Sequence, residues 1–395
     1  MKNIQFPLAR NTVQKDDINA LCEWLQQDPT PKLTMGDLTK EFEEKAAKWT
    51  NRKYSVFVNS GSSANLLMAY ALKVSNRLKN NKVVCANVGW VTTVAPFQQF
   101  GFEVSFCKTD PYNFGLDLNH LEDLCKEISP AVVIFVQPLG ILVDKNVLLA
   151  LQMKYGFVLL EDACAAVGSS YYDDVKAGKV GDMSSWSCFY GHQICTLGEG
   201  GLVFTDDRLL YNILVSLRSH GWMRNNDDDI YDGVFRHNNV DAFNQPFFFL
   251  YPGFNLRNTD VAAFVGLRQI DKLDKFTSVR NSNHRRYYEN LKGKFVLQDI
   301  TNTKIISSIS FALSTNCSQS QSRRELVEKL NKNGVENRLY SAGSLAKHPF
   351  SDSIDKFNFH DSVGDSIHNY ALFVPNNQEM TLRDVDNICN VMIFG

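Results

Sequence analysis

The residues with most to offer chemically lie between Ser187 and Gly201, where the chain runs Ser-Cys-Phe-Tyr-Gly-His-Gln-Ile-Cys-Thr-Leu-Gly-Glu-Gly-Gly. His192 is the side chain of this stretch whose ordinary pKa, about 6.5, lets it both take and give a proton near neutral pH. Ser187 offers a hydroxyl, and Gln193 an amide that can donate and accept. The closing glycines and the apolar run Leu202-Val203-Phe204 give the segment the pattern strand, bend, glycine turn, strand. Two other stretches carry polar groups at the ends of apolar runs. Val56-Phe57-Val58 leads into Asn59-Ser60-Gly61-Ser62-Ser63-Ala64-Asn65 and then a helical stretch over 66–74. A strand followed by a small-residue loop that opens a helix suits an anion, because the first amides of a helix are unpaired and its dipole favours negative charge there. Phe157-Val158-Leu159-Leu160 runs into Glu161-Asp162. Each has a plainer use, since serine and aspartate are also good helix caps.

The elements that must hold these groups alternate along the chain. Strand patterns at 83–86, 102–106, 131–137 and 157–160 are separated by helical ones at 88–101, 119–127 and 144–155. The strands are continuously apolar rather than alternating, which predicts a mostly parallel sheet covered by helices on both faces. In such sheets working residues gather at the carboxyl ends of strands, where Asn59, Gln137, Asp162 and the His192 bend all fall. Ahead of them, 16–27 reads as an amphipathic helix with Ile18, Leu21, Cys22 and Leu25 on its apolar face, and 38–49 as a second helix. Residues 225–248, rich in Asn and Asp, read as a long loop. The helical pattern over 260–274 continues to 291. Then 305–312, a helix over 322–332, 335–338 and 384–392 make an α+β set. These patterns predict a larger α/β domain over residues 1–250 and a smaller α+β domain over 251–395.

The chain has 395 residues, 44% hydrophobic and 21% charged, so it can bury a large core. A formal net charge of -2 gives no electrostatic reason to expect nucleic acid or an anionic membrane as partner. No apolar run approaches the roughly 18 residues of a membrane helix, and the N-terminus shows no apolar signal region; a cytoplasmic protein is expected. Nine cysteines, Cys317 among them, are scattered singly with no CxxC pair, which predicts buried free thiols and no metal knuckle.

Taken in order, the motifs are Asn59 through Asn65, Gly89-Trp90-Val91-Thr92-Thr93, Glu161-Asp162-Ala163-Cys164, Ser187 through Gly201, and Gly253-Phe254-Asn255-Leu256-Arg257. From about Leu33 to the C-terminus this set resembles the DegT/DnrJ/EryC1 family of nucleotide-sugar aminotransferases. The resemblance implies the aspartate-aminotransferase fold (fold type I), with pyridoxal 5'-phosphate or its amine, pyridoxamine 5'-phosphate, as cofactor. It assigns Gly61, Ser62 and Ser187 to the cofactor phosphate, Trp90 to the face of the pyridine ring and Asp162 to the ring nitrogen. Asn255 would reach the phosphate in a neighbouring subunit, which implies a homodimer with shared sites. His220, in Ser-His-Gly-Trp, and Arg338 would lie near substrate; His220 would equally suit a loop or core histidine. Ala165 departs from the pattern, standing where the aminotransferases usually carry a glutamine.

A larger departure is the missing lysine. No lysine occurs between Lys179 and Lys272, although the family holds its cofactor through one. Counted from Ser187, the lysine position falls on His192; counted back from Glu199-Gly200-Gly201, it falls on Gln193. His192 is preferred, because that register keeps Ser187 in the phosphate position; Gln193 remains a candidate substrate contact. Neither residue can form an imine, but a histidine can still move protons. One branch of the family has this substitution and removes the C3 hydroxyl from 4-keto-6-deoxy nucleotide sugars. There the cofactor amine condenses with the C4 ketone, histidine takes a proton from cofactor C4′, and hydroxyl leaves. The kind that uses an iron–sulfur cluster needs closely spaced cysteines after the histidine, and none occurs between Cys195 and Cys317. The resemblance therefore implies a cluster-free lyase in surface-glycan (lipopolysaccharide) biosynthesis, with L-glutamate as amino donor. Two alternatives stay open: an aminotransferase or epimerase variant, and a non-catalytic nucleotide-sugar-binding protein.

Overall fold

The computed structural model describes residues 4–316, 322–354 and 359–394. Cys317 and the first three residues lie outside them. Strands β1 (Tyr54–Val58), β2 (Lys82–Ala86), β3 (Glu103–Cys107), β4 (Val132–Val136), β5 (Val158–Asp162), β6 (Met183–Ser187) and β7 (Gly201–Thr205) form one sheet. Their order is β1-β7-β6-β5-β4-β2-β3. The β2–β3, β2–β4, β4–β5 and β5–β6 pairs are parallel, while β7 runs against both its neighbours. Successive side chains of a strand point to opposite faces, and both faces are dry. Phe57, Phe135, Leu159, Leu202 and Phe204 enter one core, while Val56, Val58, Ile134, Leu160 and Val203 enter the other. That is why the strands read as unbroken apolar runs.

Helices α1 (Lys15–Leu25), α2 (Asp37–Thr50), α3 (Gly61–Val74), α4 (Val91–Gln99), α5 (Leu118–Ile128), α6 (Lys145–Tyr155), α7 (Arg208–Arg218) and α8 (Asp228–Asn238) accompany this sheet. Asp117, Asp144 and Asp207 cap α5, α6 and α7 by accepting first-turn amides. The 32-residue α9 (Asp260–Leu291) then packs on both α2 and α12 (Leu382–Phe394). A second sheet, ordered β10-β11-β9-β8, comprises β8 (Val296–Leu297), β9 (Ser310–Ser314), β10 (Arg338–Leu339) and β11 (Ala371–Pro375). With α10 (Arg323–Lys332) and α11 (Ser362–Tyr370) it completes the chain.

Several elements differ from the sequence expectations. Helix α3 starts at Gly61 rather than Leu66, because Ser60 caps it by accepting from Ser63 N. Residues 225–248 contain α8, whose Asp228 and Asp229 sit at the dipole's positive end and Arg236 and His237 at its negative end. On α1 only Leu21 of the expected apolar four is buried. The helix docks through Leu21, through Trp24 stacked on Phe264, and through buried Asp17, which pairs with Arg268 and Lys272, each at 2.8 Å. Residues 305–309 precede β9 rather than belonging to it: Ile305 and Ser307 bond to Ser170 and Ser169 between β5 and β6, while Ile306 and Ser308 bond to α9 and to Asn376. Among the described residues the cysteines are free, with Cys22 exposed and Cys164 half-buried, and no helix is long and apolar enough to cross a membrane.

One buried ion pair ties three of these elements together. Arg218 of α7 donates to Glu43 of α2 and to Phe57 O of β1 at 3.0 Å, while Glu43 accepts from Phe57 N at 2.7 Å. Burial pushes the Glu43 carboxyl up, and Arg218 opposes that shift. Removing one member of such a pair strands the other charge. Arg218→Met should therefore lower the unfolding free energy by about 3 kcal/mol, measured by urea denaturation; a change under about 1 kcal/mol would mean that water relieves Glu43.

Candidate active site

The carboxyl ends of β5 and β6 lie side by side, with that of β1 beyond β7, and the sequence places Asp162, Ser187 and Asn59 there. Asp162 is buried and surrounded by donors. Its Oδ2 accepts from Asn65 Nδ2 of α3 at 2.8 Å and from Thr93 Oγ1 of α4 at 2.6 Å. Its Oδ1 accepts from Cys164 N at 3.1 Å and, at 3.5 Å, from Ser185 Oγ of β6. Ser185 also donates to Asn65 Oδ1 at 2.7 Å, which fixes the orientation of the amide. The carboxylate is thus held by elements that are far apart in the chain.

Beside it, the first turn of α3 closes on β6. A side chain at Gly61 would place Cβ 2.7 Å from Ser187 Cβ and 3.0 Å from Cys164 Sγ. Gly201 lies under the same turn, where a Cβ would stand 2.3 Å from Ser60 O and 2.6 Å from Gly61 N. Both positions exclude any larger residue. Ser62 Oγ and Thr92 Oγ1 are 3.0 Å apart, so the N-terminal turns of α3 and α4 meet at two hydroxyls. Unpaired amides, two helix N-termini and the hydroxyls of Ser62 and Ser187 make a cradle whose chemistry fits a phosphate.

The bend between β6 and β7 is braced by Cys188 N to Gly200 O at 2.8 Å, Tyr190 N to Gly198 O at 2.9 Å and His192 N to Phe189 O at 2.9 Å. Leu197 and Gly198 take the left-handed conformation, with φ of 61 and 108. His192 is partly exposed as a residue, yet its Nδ1 is enclosed and has no hydrogen-bond partner. Burial pushes its pKa down to about 4; a backbone hydrogen bond at Cys164 and the Asp162 carboxylate favour the charged form, and Arg280 opposes it. Near neutral pH the imidazole is therefore a neutral base. Gln193 is buried and turns inward, donating through Nε2 to Ala165 O at 2.9 Å and Ser307 O at 2.5 Å.

Trp90, the N-cap of α4, is 56% exposed. The loop before it is held by the second half of the chain: Gly89 O accepts from Ser341 Oγ at 2.7 Å and Ala342 N at 3.2 Å, and Asn87 O from Leu345 N at 2.8 Å. Asn255 is exposed, accepts from Arg257 Nε at 3.0 Å and bridges Ser219; its neighbour Leu256 accepts from Asn59 N at 3.1 Å. His220 precedes Gly221 at a φ of 64 and packs edge-on against Trp222, ring centroids 5.1 Å apart. Arg338 stands on edge strand β10, paired to Glu336 at 3.3 Å.

Asn65, Thr93 and Ser185, which hold Asp162, were not assigned a role by sequence. Ser185 stands two residues before Ser187 and so on the same face of β6, and Asn65 one helical turn after Gly61. That spacing is the signal that would have found them.

The fold is that of the pyridoxal-phosphate-dependent aminotransferases, and the chain belongs to the DegT/DnrJ/EryC1/StrS aminotransferase family, whose sequence model matches residues 11–393. It is 32% identical over 394 residues, 98% of either chain, to the GDP-4-keto-6-deoxy-D-mannose 3-dehydratase of Yersinia pseudotuberculosis. The E. coli GDP-4-keto-6-deoxy-D-mannose-3-dehydratase with bound hydrated PLP superposes with a TM-score of 0.88 at 29% identity, covering 98% of this chain and 99% of that one. A GDP-4-keto-6-deoxymannose-3-dehydratase with a trapped PLP-glutamate geminal diamine gives 0.87 at 29% identity, covering 98% and 100%.

Two histidines, buried His284 and the partly exposed His192 with its enclosed Nδ1, make stability depend on acid. His192 and His284 are pushed down to about 4 and about 3, chiefly by burial. The unfolded chain, with histidine near 6.5, binds these protons more readily than the folded one. Stability should then be full above about pH 6.5 and fall as pH drops toward 4. His192→Asn should flatten part of that slope in urea titrations run across the range; an unchanged slope would mean that His192 is open to water.

Proposed function

We propose that this chain is a pyridoxamine-phosphate-dependent 3-dehydratase of a 4-keto-6-deoxy nucleotide sugar, acting in surface-glycan biosynthesis. The observation that carries the reading is His192. It stands as a neutral base on the bend after Ser187, beside Asp162 and the phosphate-shaped cradle, in a stretch where the family's lysine is absent. GDP-4-keto-6-deoxy-D-mannose, for which the Yersinia and E. coli relatives are named, is the first substrate to test.

Each residue's part follows from its chemistry. Gly61 lets the first turn of α3 close on β6 beside Ser187, so that the α3 amides and the hydroxyls of Ser62 and Ser187 would converge on a phosphate. Trp90 would lie against the ring. Asp162, held by Asn65, Thr93 and Ser185, would sit at the ring nitrogen and keep it protonated. Bound there, the cofactor supplies a primary amine for the C4 ketone and a ring system that can hold electrons while the C3–O bond breaks. His192 would take the proton from cofactor C4′ and return it to the departing C3 oxygen, which asks for a base that is neutral at working pH. With no lysine at this position, the cofactor would be held without a covalent link, and L-glutamate would restore the amine.

The site would be shared in a homodimer, with exposed Asn255 reaching the partner's phosphate and His220 and Arg338 placed toward substrate. We place the division between a larger cofactor-binding lobe and a smaller C-terminal one near residue 250, and the enzyme in the cytoplasm. An aminotransferase or epimerase is the poorer reading, because no lysine is at hand to hold the aldehyde form.

Enzyme loaded with pyridoxamine phosphate and given GDP-4-keto-6-deoxy-D-mannose should release ammonia and a 3-deoxy ketosugar, followed by mass spectrometry. His192→Asn should cut the rate about 10²–10⁴-fold, the range of general acid–base catalysis, while still binding cofactor. Full activity in that variant would remove His192 as the base.

A further inference from the structure

One side chain fastens the histidine bend to the second half of the molecule. Gln193 is wholly buried, and both hydrogens of its amide can be spent on carbonyls: Ala165 O at 2.9 Å and Ser307 O at 2.5 Å. The first lies in the turn that follows Asp162. The second lies just before β9, in a segment that is itself fixed on several sides.

That segment is a seam between the two sheets. Ser307 N donates to Ser169 Oγ at 2.9 Å. Ser308 O accepts from Arg280 Nη1 of α9 at 3.2 Å, and Ser308 Oγ meets His284 Nδ1 at 2.8 Å and Asn376 Nδ2 at 2.7 Å. The loops opposite leave no slack: a Cβ at Gly168 would fall 2.7 Å from Ser307 Oγ, and one at Gly140 2.8 Å from Ser308 N. A bend tied to this seam cannot swing freely, and the next residue back along it is His192.

We infer that Gln193 is a positioning residue for His192, pinning the bend to Ala165 and Ser307 so that the imidazole stays enclosed beside Asp162 and Cys164. This rests on the proposed role of His192 as the base, and it replaces the expectation that Gln193 touches substrate. The amide suits the task for a simple reason. It offers two hydrogens to two carbonyls, whereas a leucine would offer none and a glutamate would set a carboxylate against two carbonyl oxygens. The Gln193 Oε1 atom, enclosed and without a partner, is a cost the site carries to keep those two donors in place.

The charged and titratable groups that act on His192 are Asp162 at the end of β5 and Arg280 on α9, with a backbone hydrogen bond at Cys164. If the pin is lost, the ring should gain access to water and titrate closer to its ordinary value of about 6.5.

The test uses Gln193→Leu and Gln193→Glu in the full chain, with melting curves to show that each folds; the leucine variant, close in volume and uncharged, serves if the glutamate one does not. The first readout is the His192 ring titration by NMR in the cofactor-free protein, assigned by its disappearance in His192→Asn. The second is steady-state kinetics of the enzyme loaded with pyridoxamine phosphate. Expected are an upward move of the His192 midpoint and a fall in kcat of about 10–100-fold, part of the general-base contribution, with KM for the nucleotide sugar within about twofold. An unmoved titration in a folded variant overturns the inference, whatever happens to the rate. A rise in KM alone also overturns it and returns Gln193 to substrate binding. If His192→Asn proves fully active, the functional reading fails, while the titration still decides whether Gln193 holds His192.

Discussion

The site depends first on keeping one carboxylate still. Asp162 ends a buried parallel strand, and a carboxylate oxygen taken out of water without donors costs several kcal/mol. Asn65, Thr93, Ser185 and the Cys164 amide meet that need from α3, α4, β6 and the turn after β5. The same donors bring the first turns of α3 and α4 to the carboxyl end of the sheet, where Gly61, Ser62 and Ser187 form the anion cradle. Satisfying a single buried group therefore assembles most of the first half of the site.

The remainder is assembled by the second half of the chain. The loop carrying Trp90 hangs from Ser341, Ala342 and Leu345 through Gly89 and Asn87. The histidine bend hangs from Ser307 through Gln193. Apart from the Ser341 hydroxyl, the second half contributes backbone atoms to these bonds, so they depend mainly on how that half sits. A shift of that sheet would reach an aromatic face and an imidazole together.

Much of this was legible in the sequence, because the parts that carry chemistry are local. Strand ends, a small-residue loop ahead of a helix and a bend between two short strands are each written in a few consecutive residues. The continuous apolar runs stated a buried parallel sheet, and the sheet is parallel except for β7. The failures differ in cause. On α1 the apolar periodicity of Ile18, Leu21, Cys22 and Leu25 gave way, except at Leu21, to Trp24 and to the pairing of Asp17 with Arg268 and Lys272, residues on a helix some 250 positions away. In 225–248 the Asn and Asp content suggested a loop, but charges placed to suit the helix dipole and a buried Phe235 produced α8. Ser307 falls in the 305–312 stretch of the α+β set, yet its backbone bonds reach Ser169 and Gln193 of the first half.

What the sequence determined by itself is the chemistry that can occur: a histidine and no lysine after Ser187, an aspartate at a strand end, glycines where only glycine fits. These are statements of composition at fixed positions, and no packing can alter them. What only the tertiary structure decided is which of His192 and Gln193 is left enclosed with a free ring nitrogen and which is spent on the backbone. Adjacent residues on an irregular bend have no period to separate their directions. The choice falls to distant carbonyls, those of Ala165 and Ser307, that the folded chain brings within reach of one amide.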